Sequence, residues 1–166
     1  MKKVFWALVA LIFLPAFVSG DMIQLMDALK KDEKPRIEEL INSKNIDLNS
    51  GFENLLVVYL YAKEKNAELE FVRYLLDKGV NPDYAPGIPA IDIAIMQGRS
   101  DIVSLLIEKG ADVNIIEKRK GFSPLGMALL VRDCKVADML KKAGAVLDKD
   151  SRKDVLFIRE RECFGG

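Results

Sequence analysis

The chain has 166 residues, half of them apolar, and its 25 basic and 25 acidic residues cancel to a formal charge of zero. This balance gives no electrostatic footprint for nucleic acid or for an acidic membrane surface. Histidine is absent from the sequence, which excludes Ser-His-Asp and Cys-His catalysis, histidine-rich zinc sites and a histidine-ligated haem.

Residues 1–20 have the pattern of a secretory signal. Two lysines precede an uninterrupted apolar run from Val4 to Leu14, and small residues occupy positions 18–20, where a signal peptidase cleaves. The alternative is a membrane anchor, but the stretch Val4–Val18 has 15 residues, fewer than the roughly 20 that cross a bilayer. We therefore expect cleavage after Gly20, a bacterial periplasmic location, and no stable membrane insertion after cleavage.

A segment of 13 residues occurs four times, in related forms, in the remaining 146 residues. IVSLLIEKGADVN at 102–114 matches FVRYLLDKGVNPD at 71–83, IEELINSKNIDLN at 37–49 and VADMLKKAGAVLD at 136–148. The turn position is occupied in order by Asn45, Gly79, Gly110 and Gly144, at spacings of 34, 31 and 34 residues. A period of this length is typical of stacked helical repeats, each of which buries its apolar face against a neighbour.

Local signals mark the helix boundaries in the regular part of the chain. Ser123 can accept a hydrogen bond from a free N–H at a helix start, and Pro124 falls at the first helical position. Ser100 precedes apolar residues spaced for one helical face, and Gly110 follows them, where a helix commonly ends.

Three strings carry a resemblance to a known family. PAIDIA at 89–94 and SPLGMA at 123–128 resemble the T-P-L-H-x-A helix start of ankyrin repeats, and GADVN at 110–114 is among the most specific strings of that family. The resemblance implies an all-α ankyrin-repeat solenoid of about four helix-loop-helix units joined by β-turn fingers. We place the repeat domain at 21–150, and its units at about 22–50, 51–86, 87–120 and 121–150.

Three parts of the chain depart from the repeat pattern. The first unit lacks the helix-start string, which suggests a capping role. The second contains an insertion, Lys63–Glu68, which is either a local elaboration for a partner or ordinary loop variation. The C-terminal tail, 151–166, begins with a possible helix-start signal and could be a final helix or a strand that covers the last repeat.

The chain contains two cysteines, Cys134 and Cys163. In an oxidising compartment such a pair suggests a disulfide, which here would pin the tail to the last repeat. A buried thiol and an unpaired tail residue are the alternatives.

The chemistry of an enzyme is missing from the sequence. It contains no phosphate-binding glycine loop, no cluster of metal ligands and no G-x-S-x-G string. Paired acids such as Glu38 and Glu39 lie where charge normally faces water. We therefore expect no enzymatic activity, no cofactor and no metal site.

The resemblance implies a concave binding face lined by the fingers and the inner helices. Phe52, Ile88 and Phe122 each follow a finger glycine, and all three are large and apolar. The repeat register places the following partner-binding residues on that face: Phe52, Leu60, Tyr61, Tyr84, Ile88, Met96, Gln97, Arg119, Phe122, Leu130 and Val131. The alternative is that some of these side chains turn inward and pack between repeats.

We expect the partner to be a protein of the bacterial envelope, which this chain would regulate, shield or inhibit. Exported ankyrin proteins that protect their own cell from a toxic or wall-degrading enzyme are similar to this chain, which suggests an immunity-type role. Two alternatives remain: an accessory factor for catalase or oxidative-stress defence, and a structural spacer without a dedicated partner.

Overall fold

The structure, a computed structural model, describes residues 20–31, 33–43, 48–49, 55–83, 88–116, 122–147 and 153–165. Within these ranges the regular structure is entirely helical, as the all-α prediction requires. The α-helices are α1 (Gly20–Lys31), α2 (Lys34–Ser43), α3 (Leu55–Lys63), α4 (Leu69–Asp77), α5 (Ala90–Met96), α6 (Ser100–Glu108), α7 (Pro124–Leu130), α8 (Cys134–Lys142) and α9 (Lys153–Phe164). A 3₁₀ turn, Glu64–Asn66, follows α3.

The chain divides into two compact units, Met1–Asp47 and Leu48–Gly166. In the first unit α1 and α2 pack together, and the connection between them is closed by a hydrogen bond of 3.0 Å from the N–H of Glu33 to the carbonyl of Ala28. Of the predicted signal segment only Gly20 is described, as the first residue of α1. None of the helices in the described ranges combines the length and apolar character needed to span a bilayer.

The second unit is a double row of helices. The inner helices α3, α5 and α7 pack side by side in chain order, and the outer helices α4, α6 and α8 do the same. Each inner helix also packs against the outer helix of its own pair. This arrangement places the carboxyl ends of the three inner helices next to one another.

The inner and outer rows differ in how much of each helix is exposed to solvent. Every residue of α5 from Ala90 to Ile95 is buried, including Asp92, and so is every residue of α7 from Pro124 to Leu129. Apart from Asp92 these residues are apolar or glycine, as is typical of helices in a core. The outer helix α6 is instead amphipathic, with buried Ile102 and Leu106 and an exposed Ser104. The inner row is therefore the core of the repeats.

Helix ends follow the local signals. At the end of α6, Gly110 has a φ of 83° and the N–H of Ala111 donates to the carbonyl of Leu106 at 2.9 Å, which satisfies one of the helix's free carbonyls. At the start of α7, the hydroxyl of Ser123 accepts from the N–H of Gly126 at 3.3 Å. The predicted helix start at Ser123 is confirmed.

The insertion in the second repeat forms an ordered turn. From inside the fold, the hydroxyl of the buried Tyr59 accepts the N–H of Glu68 at 3.0 Å. From the next repeat, the guanidinium of Arg99 donates to the carbonyl of Lys65 at 3.0 Å and to that of Ala67. The insertion is thus held by the repeats on which it lies.

The tail forms a helix, the first of the two predicted possibilities. α9 packs against both α7 and α8 and so covers the last repeat. The ammonium of Lys141 on α8 lies 3.0 Å from a carboxylate oxygen of Glu160 and 4.2 Å from the ring centroid of Phe164.

Candidate protein-binding face

A ladder of side-chain hydrogen bonds joins each finger to the next one. Asn49 accepts the N–H of Asn81 at 2.7 Å and donates to the carbonyl of Gly79 at 3.0 Å. Two repeats later, Asn114 accepts the N–H of Val146 at 2.8 Å and donates to the carbonyl of Gly144 at 3.3 Å. A side-chain amide can bind both a backbone N–H and a backbone carbonyl, because it carries an acceptor and a donor.

The middle rung of this ladder is a carboxylate. Asp83 accepts the N–H of Asp112 with both oxygens, at 2.9 and 3.1 Å. Partial burial raises the pKa of Asp83 above its ordinary value, the hydrogen bond from the backbone of Asp112 lowers it, and the negative charge of Asp112 raises it further. The rung at Asp83 therefore carries its charge at a cost that the amide rungs avoid.

Accessible side chains gather where the inner helices end. Met96, the last residue of α5, is 42% exposed, and Val131, directly after α7, is 45% exposed. Gln97 bridges two inner helices, since its amide donates to the carbonyl of Leu60 at 3.0 Å. We name the helix-end patch as the residues Tyr61, Met96, Gln97, Leu130 and Val131, of which Tyr61, Gln97 and Leu130 are half-buried.

The family model for ankyrin repeats, three copies, matches residues 25–117. The chain belongs to the ankyrin repeat family. Ankyrin repeats are protein-protein interaction modules and are typically non-enzymatic. The helix pair α7 and α8 lies beyond the matched residues, at the spacing expected for one more ankyrin repeat.

An ankyrin repeat protein of fowlpox virus (strain NVSL), named FPV014, is 34% identical to this chain over 88 residues. The aligned part is 52% of this chain and 20% of the viral protein. The chain thus spans about a fifth of the length of this relative.

The ankyrin register assigned eleven residues to the binding face. The structure separates ten of them into three groups, and the eleventh, Leu60, is buried. Phe52, Tyr84 and Arg119 lie outside the described residues. Ile88 and Phe122 are half-buried, so each has both a packed and an accessible surface. Met96, Gln97, Leu130, Val131 and Tyr61 come together in the helix-end patch.

The assignment of Leu60 to the binding face is wrong. Leu60 lies on α3 and is fully buried. All six residues from Leu55 to Leu60 are buried, so the helix is enclosed along this stretch and its accessible surface begins only at Tyr61. The register had placed Leu60 and Tyr61 together on the exposed side, although they are consecutive on a helix.

Two exposed apolar residues of the fingers were not predicted. Ile116 is 43% exposed and Val146 is 64% exposed, and both lie in the fingers of the last two repeats. Ile116 follows Asn114, whose side chain binds the finger that holds Val146. The pair Ile115 and Ile116 directly follows the string GADVN at 110–114, and this position is the signal that could have indicated Ile116.

The two cysteines of the chain are paired in the structure. The sulfur atoms of Cys134 and Cys163 are 2.01 Å apart, and their Cα atoms are 5.0 Å apart. Cys134 is the first residue of α8, and Cys163 is the penultimate residue of α9. The bond therefore joins the tail to the outer helix of the last ankyrin repeat.

Proposed function

We propose that this ankyrin-repeat chain is exported to the bacterial envelope, where it binds another protein and regulates, shields or inhibits it. The observation that carries the binding proposal is the helix-end patch, in which Met96 and Val131 expose apolar side chains at the ends of packed helices. Apolar patches of this kind mark protein contacts, because association removes them from water.

The proposed location rests on two independent features. The first 20 residues have a charged start, a short apolar run and small residues before Asp21. Cys134 and Cys163 are positioned for a bond that persists in an oxidising compartment and is rare in the cytosol. Mass spectrometry of the native protein tests the location: we expect an N-terminus at Asp21, and an intact Met1 on a cytoplasmic species would contradict it.

Quantitative capture from an envelope extract tests the binding. The bait is the oxidised chain from residue 21 to 166, compared with a variant in which Met96→Ala and Val131→Ala are combined. We expect the double variant to lose the captured protein and to keep the thermal midpoint of the wild type, because both side chains are exposed. Ile23→Ala is the matched control, since Ile23 is 52% exposed on α1.

The identity of the captured protein then distinguishes the proposed role from its alternatives. A toxin or a wall-degrading enzyme whose activity falls when the chain is added supports inhibition. A catalase would indicate an accessory factor instead. Equal capture by the wild type and the double variant would contradict the helix-end patch as the binding site.

A further inference from the structure

We propose that the loop joining α7 to α8, together with the first turn of α8, binds an acidic segment of the partner, with Val131, Arg132 and Lys135 as its contact residues. This inference rests on the proposed binding function and specifies the chemistry of the partner. It concerns a part of the repeat that lies at the end of the inner helix opposite its start at Ser123.

The corresponding loop of the preceding repeat shows what a purely structural arrangement looks like. There the guanidinium of Arg99 donates to both carboxylate oxygens of Asp101, at 2.9 and 2.7 Å. It also donates to two backbone carbonyls of the insertion, and its side chain is only 16% exposed. The charges of this loop are neutralised and its arginine is fully used by the fold.

The last repeat reverses these charges. In the register of the two repeats, Arg132 takes the place of Gly98 and Lys135 takes the place of Asp101. Both cationic side chains are exposed, and neither makes a hydrogen bond or an ion pair within the described ranges of the chain. The one acid of the loop, Asp133, caps α8 by accepting the N–H of Val136 at 3.0 Å. The loop therefore presents unused positive charge.

The positive charge of Arg132 acts on one acid of the tail without forming an ion pair with it. The carboxylate of Glu162 accepts a hydrogen bond of 2.7 Å from Arg159, which is the main cause of its lowered pKa. The positive charge of Arg132 lowers that pKa further, as a smaller contribution. Arg132 is thus close enough to stabilise a carboxylate electrostatically, while the N–H groups of its guanidinium remain available to a partner.

The backbone of Arg132 supports a role in binding. Its φ is 60°, a left-handed conformation that is unfavourable for a residue with a Cβ, whereas the glycine at the same place in the preceding repeat adopts a φ of 69° at no such cost. Residues kept in unfavourable conformations cluster at functional sites. The disulfide at Cys134 fixes the loop against α9, so the contact residues are held in place before a partner arrives.

The combination of groups favours a protein segment over other anions. Val131 places an apolar side chain, 45% exposed, directly before the arginine, and a partner that sets an apolar residue on Val131 and a carboxylate on Arg132 would use both. Two cations fall short of the cluster of about four to eight that anchors a protein on an anionic bilayer. They also contact too few phosphates to hold nucleic acid at physiological salt.

Selection of peptides tests this chemistry without knowledge of the partner. The probe is a displayed library of random short peptides, selected on the oxidised chain from residue 21 to 166. We expect the enriched peptides to carry Asp or Glu beside a large apolar residue. Enrichment of peptides without acidic residues, or no enrichment at all, would overturn the proposal.

Variants locate the binding on the chain. One enriched peptide, made synthetically, should bind at least about tenfold more weakly to the combined variant Arg132→Gln and Lys135→Gln. The matched control combines Arg73→Gln on α4 with Lys109→Gln directly after α6, which removes the same charge at positions where both cations are paired with acids. An equal loss in the control would overturn the assignment to this loop, since net charge alone would explain it.

Two further measurements distinguish this inference from membrane binding and from the proposed function. Vesicles of phosphatidylcholine with phosphatidylglycerol should not bind the chain; if they do, and Arg132→Gln with Lys135→Gln abolishes it, the partner is a membrane and the proposal is wrong. If a captured envelope protein binds that variant like the wild type but is lost with Met96→Ala, the proposed function stands and this inference fails. Loss with both variants supports the two together.

Discussion

The carboxylate of Asp83 holds the finger of the next repeat by accepting the N–H of Asp112 with both of its oxygens. The neighbouring rungs of this ladder are amides, Asn49 and Asn114. Each of them also donates to the carbonyl of a glycine at the turn position, Gly79 and Gly144 respectively. Asp83 has no proton to donate when it is ionised. The middle rung therefore lacks the second hydrogen bond that each of the two amide rungs makes.

Asp83→Asn should stabilise the protein at neutral pH. The amide can keep the bond from Asp112 and add a donor toward Gly110, the equivalent of the glycines bound by Asn49 and Asn114. We expect a gain of about 1 kcal/mol in the free energy of unfolding, measured by urea denaturation at pH 7. The reverse change, Asn114→Asp, is the matched control and should destabilise by a similar amount.

The advantage of Asp83→Asn should shrink in acid. The pKa of Asp83 is raised in the folded protein, chiefly by partial burial, so the native state binds this proton more tightly than the unfolded chain does. The wild type therefore regains this stability as the pH falls through the raised pKa toward the ordinary value of 3.8. A stability difference between wild type and variant that stays constant from neutral pH down to that range would contradict the assignment.

Arg132→Gly should stabilise the fold and weaken binding at once. A left-handed φ costs a residue with a Cβ about 1–2 kcal/mol, and part of the gain is lost because glycine makes the unfolded chain more flexible. We expect a net gain of about 0.5 kcal/mol from thermal unfolding. Gly98→Ala is the control: among the described residues other than its two chain neighbours, none has an atom within 4 Å of an added Cβ there, so its loss of stability would come from the backbone alone.

The repeat architecture could be predicted because its signals are local. Each outer helix has its own amphipathic spacing, and Ser123 and Gly110 mark helix ends through bonds to residues a few positions away. The exposure of the inner helices could not be predicted in this way. α3 is apolar around its whole circumference, so only its packing against neighbours determines that Leu60 is buried and that exposure begins near Tyr61.

The same limit applies to the charged loops between helices. The local sequence places an acid, Asp101, two residues after Arg99, but it does not show the insertion that also binds this arginine. Arg99 is bound by an insertion more than thirty residues earlier in the chain, as its bond to Lys65 shows. Arg132 faces no such partner among the described residues. Tertiary placement, which a single sequence leaves open, assigns one arginine to the fold and leaves the other accessible.

Removing the disulfide should destabilise the last repeat. Cys134 and Cys163 are separated by 29 positions, and closing a loop of about 30 residues contributes roughly 3.5 kcal/mol in the chain-entropy account. We expect Cys134→Ala with Cys163→Ala to unfold at lower urea and to be insensitive to reductant, while the wild type loses stability when reduced. Non-reducing peptide mapping of protein from the envelope should find the two cysteines joined; two free thiols would refute the pairing.

The final prediction separates packing from binding at two nearby positions. Leu60 is fully buried on α3, whereas Met96 is 42% exposed at the end of the adjacent helix α5. Leu60→Ala should cost about 2–5 kcal/mol of stability because it leaves a cavity in the inner row. Met96→Ala should change stability by less than about 0.5 kcal/mol.

If Met96 is a central anchor, the same change should weaken partner binding by roughly thirtyfold, about 2 kcal/mol. Isothermal titration with the captured partner, beside thermal unfolding of each variant, measures both quantities. A Met96→Ala variant that melts early but binds normally would show that this side chain belongs to the core, and that the partner contacts another surface.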